Sequence, residues 1–197
     1  MEKNKILILY VHPSAHKSQI NSAMVANIEG LEDITVRHLY ELYPDFHIDV
    51  KEEQELLLKH DIIVFHHPFY WYSAPALLKE WIDLVFEHGF AFGKNGNALK
   101  GKKLMTATST GGTRDAYREK GHNRFTMSQF LANFEQTALI CKMDYLPPFV
   151  THGSLLIKEE QIKKAADDYK KVLVSLREKL FNDEEIMKFE YINDLLH

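Results

Sequence analysis

The sequence predicts a doubly wound α/β fold, in which a five-stranded parallel sheet lies between two layers of helices. Short apolar runs and amphipathic helical stretches alternate about five times along the chain, a pattern typical of such three-layer α/β/α domains. The run at residues 61–65 is almost continuously apolar, as expected of a strand buried on both faces. Polar, aromatic or glycine-rich loops follow the main strands. We therefore expect right-handed crossovers and a ligand site at the carboxyl edge of the sheet.

The composition indicates one domain. No linker, repeat or low-complexity block divides the 197 residues, so we expect the domain to span residues 1–180. Residues 181–197 form an acidic tail that either docks on the domain or on a partner subunit, or frays. The 24 basic and 28 acidic residues give a net charge of −4 without a basic stripe, which argues against nucleic-acid binding. Cys141 is the single cysteine, so the chain cannot form an internal disulfide. We also find no secretory signal and no apolar run long enough to span a membrane, and we therefore expect a cytoplasmic protein.

The first predicted strand, at residues 5–11, leads through the loop HPSAHKSQIN into an amphipathic helix that ends near Gly30. Ser18 is placed to cap this helix, whose first N–H groups lack partners within the helix and whose dipole favours an anion. A phosphate could therefore bind here, with hydrogen bonds from His12, Ser18 and Asn21. Alternatively, Ser18 only caps the helix and His12 is a buried polar residue, since the loop carries no glycine-rich phosphate motif.

The central unit is the strand at residues 61–65, an aromatic loop and a helix that starts near Pro75. At the carboxyl edge of a sheet, a run of aromatic side chains suits a flat ligand. The aromatic residues are Phe69, Tyr70, Trp71 and Tyr72. His66 and His67 are expected to end the strand and to face opposite ways, so we predict no metal site there.

The next strand, at residues 103–109, opens into a loop that contains Thr110, Gly111 and Gly112. Two adjacent glycines allow the backbone to approach a planar ring closely, although they equally suit a simple turn. The remaining elements are a strand at 34–39, a charged helix from about Val50, a helix at 125–139, a short last strand at 143–145 and a helix at 158–180. The apolar face of that last helix is predicted to include Leu180.

Four motifs, in the order HPSAHKSQIN, HHPFYWYSAPALLKEWIDLVFEHGFAFG, TSTGG and LPPF, give the chain a resemblance to the flavodoxin-like NAD(P)H:quinone oxidoreductases. The motifs span roughly residues 5–150. The segment LYELYPDFHIDVKEEQ makes the chain most similar to small bacterial members, including the ancillary oxidoreductases of glutathione-gated potassium efflux systems and general stress proteins.

This resemblance implies a bound flavin, FMN with FAD as the alternative, at the carboxyl edge of the sheet. His12 and the turn made by Ser18, Gln19, Ile20 and Asn21 match the phosphate and ribityl site. The aromatic loop matches the segment beside the isoalloxazine ring. The loop on the pyrimidine side of the ring corresponds to Ser109, Thr110, Gly111 and Gly112.

The resemblance further implies a homodimer with the flavin at its interface, NAD(P)H as co-substrate, a quinone as acceptor and ping-pong hydride transfer. Tyr117 and His122 resemble a tyrosine and histidine pair that assists charge relay in animal quinone reductases, but the step to His122 is one residue shorter here. The alternative is that the two residues have no catalytic role and are a surface loop tyrosine and a solvated histidine. Two further functions share the fold: a flavin-binding regulatory subunit docked on a membrane antiporter, and an electron-carrier flavodoxin.

Overall fold

The computed structural model describes residues 3–196. Its sheet has the strand order β2-β1-β3-β4-β5, with β6 also paired to β4, and every pairing is parallel. This arrangement confirms the predicted doubly wound fold class. The strands are β1 Ile6–Tyr10, β2 Ile34–His38, β3 Ile62–Pro68, β4 Lys103–Ser109, β5 Asp144–Tyr145 and β6 Phe149–Thr151.

The last position of the sheet is occupied by two short strands, so the prediction of a single short strand was incomplete. β5 pairs with the start of β4, through Lys103 and Leu104, whereas β6 pairs with its end, from Ala107 to Ser109. Pro147 and Pro148 separate the two segments. Because proline has no backbone N–H to donate, the ladder is interrupted there and resumes at Phe149.

Helices cover both faces of the sheet. They are α1 Ile20–Ala26, α2 Leu39–Leu42, α3 Val50–Lys59, α4 Ala76–Val85, α5 Met127–Phe130, α6 Ala132–Ile140, α7 Glu159–Arg177 and α8 Asp183–Ile186. Short 3₁₀ turns lie at Ala15–Lys17, Arg114–Ala116 and Ile192–Leu196. Among the helices of residues 3–196, none combines the length and the apolar character that crossing a bilayer requires.

Two helix predictions need correction. The stretch at 125–139 forms α5 and α6, which meet at Leu131. The last long helix ends at Arg177, and Leu180 beyond it is 70% exposed, so its predicted place on the packed face was wrong. The chain turns away after Arg177 because Lys179 adopts a left-handed conformation, with φ of 57°.

Two apolar layers form as alternate residues of each strand point to opposite faces of the sheet. Leu9 and Phe65 pack on one side against Trp81 of α4. Ile8 and Val64 pack on the other side, where α1 and α7 cover the sheet. With both faces covered by helices, the carboxyl edge of the strands is where the loops meet and a site can form.

His66 and His67 lie inside β3, which continues to Pro68, so the expectation that they end the strand was wrong. Both side chains are fully buried, and they face opposite layers. His66 contacts Tyr169 of α7, whereas His67 contacts Phe134 of α6. β3 extends this far because the end of β4 pairs with it up to Pro68 and Ser109.

Candidate functional site

A cavity of about 520 Å³ opens at the carboxyl edge of the sheet. This volume lies within the roughly 300–1,000 Å³ typical of small-molecule sites. Cavities of similar size occur elsewhere, but this one lies where open α/β sheets bind their ligands. Residues from all three predicted loops line it: His12, Ser18, Gln19, Ile20 and Asn21 from the first, Phe69 and Tyr70 from the second, and Ser109 and Gly111 from the third.

The wall formed by the first loop offers hydrogen-bond donors and a cation. The N-cap of α1 is Gln19 and not Ser18 as predicted, but the Ser18 hydroxyl still accepts a 3.2 Å bond from the Asn21 amide in the first turn. The amides of Gln19 and Ile20 donate to no acceptor within residues 3–196. Lys17 also lines the cavity. Sequence reasoning missed this lysine, although a cation within a predicted anion loop was a readable signal.

A buried polar network joins the first loop to the end of β4. The side-chain amide of Asn21 donates to the hydroxyls of Ser109 (2.9 Å) and Ser18 (3.3 Å). Its oxygen accepts a 3.3 Å bond from Nε2 of His66. Burial lowers the pKa of His66 to about 3, so this imidazole is neutral at physiological pH. The network fixes Asn21 in the cavity floor.

His12 is oriented as a neutral donor. Its Nδ1 accepts a 3.1 Å bond from the Ser14 amide, which leaves the proton on Nε2. Burial, together with the nearby His16, lowers the pKa of His12. Its ring meets that of Tyr70 edge-on, with centroids 6.0 Å apart. His12 can therefore offer a hydrogen bond to a ligand.

The aromatic loop makes a strained two-residue turn. Tyr70 and Ser73 exchange backbone hydrogen bonds of 2.9 and 3.0 Å. Between them Trp71 and Tyr72 have φ angles of 48° and 63°, a left-handed conformation that side chains other than glycine, asparagine and aspartate seldom adopt. Such strain is found where the backbone shape serves a site. Trp71 is 93% exposed, and neither it nor Tyr72 lines the cavity itself.

The glycine loop is held by backbone bonds on one side only. Thr110 donates to the carbonyl of Thr151, and Ser154 donates to the carbonyl of Thr110, both at 2.9 Å. The Thr110 hydroxyl donates to the carbonyl of Gly112. The amides of Gly111 and Gly112 donate to no acceptor in the described part of the chain. They are therefore available to a ligand.

Tight space, and not a positive φ angle, favours glycine at these two positions. A Cβ at Gly111 would lie 3.1 Å from Cδ1 of Leu155, and one at Gly112 would lie 3.2 Å from the ring of Tyr117. Both contacts are tighter than ordinary van der Waals separation. The loop thus forms a narrow surface of N–H donors beside the cavity, of the kind that the edge of a planar ring can approach.

Tyr117 and His122 are not joined in the structure. Tyr117 is buried, and its ring contacts Phe69 and His152, with centroids 5.9 and 5.6 Å away. His122 is exposed and makes no hydrogen bond or ring contact with Tyr117. The histidine that does meet Tyr117 is His152, whose Nδ1 lies 3.0 Å from the Thr110 hydroxyl. Sequence reasoning missed His152, and no local motif marks it.

The cavity suits a planar ligand with an anionic group. No carboxylate is among the described residues that line it, whereas Lys17 supplies a positive charge and several free amides converge on it. Phe69 and Tyr70 provide flat apolar walls. The class of protein that this fold and cavity define is a doubly wound α/β protein with a candidate ligand site at the carboxyl edge of its sheet.

The chain belongs to the family described as having a flavodoxin-like fold, whose match covers residues 4–173. It is 44% identical over 174 residues to the glutathione-regulated potassium-efflux system ancillary protein KefF of an Enterobacter species, with 88% of this chain and 97% of the relative covered.

Two solved structures are also similar. General stress protein 14 of Treponema denticola, in complex with FMN, is 37% identical with a TM-score of 0.83 and covers 87% of this chain and 99% of its own. A protein of P. pentosaceus titled NADPH-quinone reductase is 35% identical with a TM-score of 0.77 and covers 85% of this chain and 96% of its own.

Proposed function

We propose that this protein is an FMN-dependent NAD(P)H oxidoreductase that reduces quinones. One observation carries the proposal: three loops that are far apart in the sequence, each predicted to contribute to a flavin site, line the same cavity. FMN is preferred to FAD because the similar Treponema denticola protein holds FMN. When bound, the flavin would supply the redox chemistry: it would take a hydride from NAD(P)H and pass it, together with a proton from solvent, to a quinone, which leaves as the hydroquinone in a ping-pong cycle.

The first loop holds the phosphate end of the cofactor. Lys17 provides the charge, the Ser18 hydroxyl a hydrogen bond, and the amides of Gln19 and Ile20 two donors without partners in the protein. Asn21, which is fixed by Ser109 and His66, would lie against the ribityl chain. His12 offers Nε2–H to the same part of the site.

The glycine loop acts at the pyrimidine edge of the ring. The free amides of Gly111 and Gly112 would donate hydrogen bonds to that edge and stabilise negative charge there, without rearranging, because the loop is already held by Thr151 and Ser154. Tyr70, the residue of the aromatic turn that lines the cavity, would shield the ring from water. In this proposal a proton at that edge would come from Tyr117, whose ring lies beside Gly112, and the exposed His122, which does not contact Tyr117, would act only through intervening water.

A second copy of the chain completes the site. Leu155, which lines the cavity, is 81% exposed, and two apolar side chains next in sequence to lining residues are exposed as well: Trp71 by 93% and Leu156 by 91%. Exposed apolar groups concentrated around a cavity favour burial against a partner. Leu156→Glu is expected to give a monomer with reduced quinone reduction, as judged by analytical ultracentrifugation and turnover. Leu58→Glu on α3 is the control, since Leu58 is an exposed leucine outside the cavity. A fully active monomer would rule out a shared site.

A regulatory role on a membrane antiporter is the second candidate. The observation that favours it is the 44% identity to an ancillary protein of a potassium-efflux system. In that case the protein sits at the inner face of the membrane through its partner, and its reductase activity is incidental. Copurification of an antiporter together with slow quinone turnover would favour this candidate.

Cofactor titration tests the proposed site directly. Apoprotein is titrated with FMN, FAD and riboflavin while flavin fluorescence is followed. The proposal predicts tight binding of FMN and weaker binding of riboflavin, because riboflavin lacks the phosphate that Lys17 and the first loop contact. A protein that takes up none of the three overturns it.

A further inference from the structure

We propose that the end of the chain is a positioning element for the glycine loop, acting through a C-terminal clamp in which Glu190, Tyr191, Asn193 and Asp194 hold Arg114 and β6. The inference rests on the proposed function for its effect on the cofactor. Its effect on the loop itself is independent of any ligand. The family match ends at residue 173, so the clamp lies outside the part of the chain that defines the family.

The first component of the clamp is a bidentate ion pair. Nη1 and Nη2 of Arg114 donate to the two carboxylate oxygens of Asp194, at 2.9 and 2.7 Å, and Nη2 also donates to Glu190 at 3.1 Å. The guanidinium lies 4.4 Å from the centroid of the Tyr191 ring. Arg114 begins the 3₁₀ turn that follows the glycine loop. Arg114 therefore ties the loop to this C-terminal segment through two carboxylates and one aromatic ring.

The second component reaches Thr110 through His152. The ring of His152 lies between those of Tyr191 and Tyr117, with centroids 5.4 and 5.6 Å away. Its Nδ1–H donates to the Thr110 hydroxyl, whose own proton is donated to the carbonyl of Gly112. Tyr191 is 1% exposed. Removing it would open one face of His152 to water and loosen the bond that shapes the loop.

The third component fixes β6. The side chain of Asn193 bonds both the amide and the carbonyl of Val150, at 3.1 and 3.3 Å, as a neighbouring strand would. The amide of Ile192 donates to the carbonyl of Pro148. The next residue of β6 is Thr151, whose carbonyl holds the Thr110 amide. By fixing β6, these bonds also fix the Thr151 carbonyl to which the glycine loop is hydrogen-bonded.

Hydrogen exchange tests the clamp without any cofactor. The amides of Thr110, Gly153 and Ser154 report on the loop, because each forms a hydrogen bond that holds it. Asp194→Asn should accelerate their exchange in the apoprotein on the order of tenfold. The conservative variant Asp194→Glu should restore most of the protection. Asp83→Asn is the matched control: it breaks a surface ion pair with Lys79 on α4 and should leave these amides unchanged.

The same variants are then titrated with FMN. Asp194→Asn should raise the dissociation constant about tenfold, and Asp83→Asn should not change it. Wild-type exchange rates in Asp194→Asn would overturn the clamp, whether or not the protein binds FMN. Faster exchange with an unchanged dissociation constant would overturn its role in positioning the loop for the cofactor. If the wild type binds no FMN, the proposed function fails, and the exchange rates still decide whether the clamp exists.

Discussion

The side-chain amide of Asn21 donates a 2.9 Å hydrogen bond to the hydroxyl of Ser109, 88 residues further along the chain. This bond connects the first turn of α1 to the carboxyl end of β4, and both residues are buried. The third partner, His66, comes from β3, which lies between β1 and β4 in the sheet. The three strands that carry the site loops are thus linked by one polar network beneath the cavity.

Asn21→Ala should lower the free energy of unfolding by about 1–3 kcal/mol, because Ser109 and His66 would be left buried without their partner. It should also weaken FMN binding. The control is Asn27→Ala at the other end of α1, where the amide makes an exposed bond with Asp167. Urea unfolding should show an effect below about 0.5 kcal/mol there. Equal effects from the two substitutions would contradict a special role for the network.

Lys17→Met should raise the dissociation constant for FMN about tenfold, which corresponds to 1.4 kcal/mol, and leave that for riboflavin unchanged. The reason is that Lys17 contributes charge at the end of the cavity assigned to the phosphate. Lys163→Met on α7 removes a charge outside this cavity and serves as the control. Fluorescence titration at fixed ionic strength measures both. Equal losses for FMN and riboflavin would contradict this placement of the phosphate.

Gly111→Trp should abolish flavin binding, because the side chain would fill the space where the backbone meets the ring. Gly111→Ala should bind more weakly but still bind, since the new Cβ would meet only the flexible end of Leu155, at 3.1 Å. Absorbance after dialysis against FMN distinguishes the two, and thermal melting confirms that both variants fold. A fully loaded tryptophan variant would show that the glycine loop is not beside the ring.

Stability should fall as the pH drops from about 6.5 towards 4. Burial lowers the pKa of His66 to about 3 and that of His67 to about 4. Histidine titrates near 6.5 in an unfolded chain, so in this window the unfolded state binds protons that the folded state does not. Each histidine contributes up to about 1.4 kcal/mol per pH unit. Urea unfolding of His67→Leu should show a shallower dependence on pH than the wild type; parallel curves would contradict the assignment.

Much of the fold follows from patterns that the sequence shows directly. The apolar runs before the loops at His12, Phe69 and Thr110 mark parallel strands, and parallel topology alone brings their carboxyl ends to one edge. This is why His12, Phe69 and Thr110, which are 41 or more positions apart, could be predicted to share a site. The glycines could be singled out because two adjacent residues without side chains leave the backbone open to close approach by a ring.

The missed features depend on tertiary contacts without a local signature. β6 forms only because β4 offers a free edge beyond the two prolines. His152 gains its place from Thr110, Tyr117 and Tyr191, which come from three parts of the chain. The left-handed turn at Trp71 and Tyr72 runs against the preference of aromatic residues, so propensity argues for a different backbone. Such local conflicts are expected where a fold serves a site.

The most direct test of the central claim is an anaerobic visible spectrum of the FMN-loaded protein, recorded after addition of NADPH or NADH and again after a soluble quinone. We expect the flavin absorbance to bleach with at least one nicotinamide and to return in full with one equivalent of quinone. A loaded protein that neither nicotinamide bleaches, or whose reduced form persists in the presence of quinone, would contradict the assignment as a quinone-reducing enzyme.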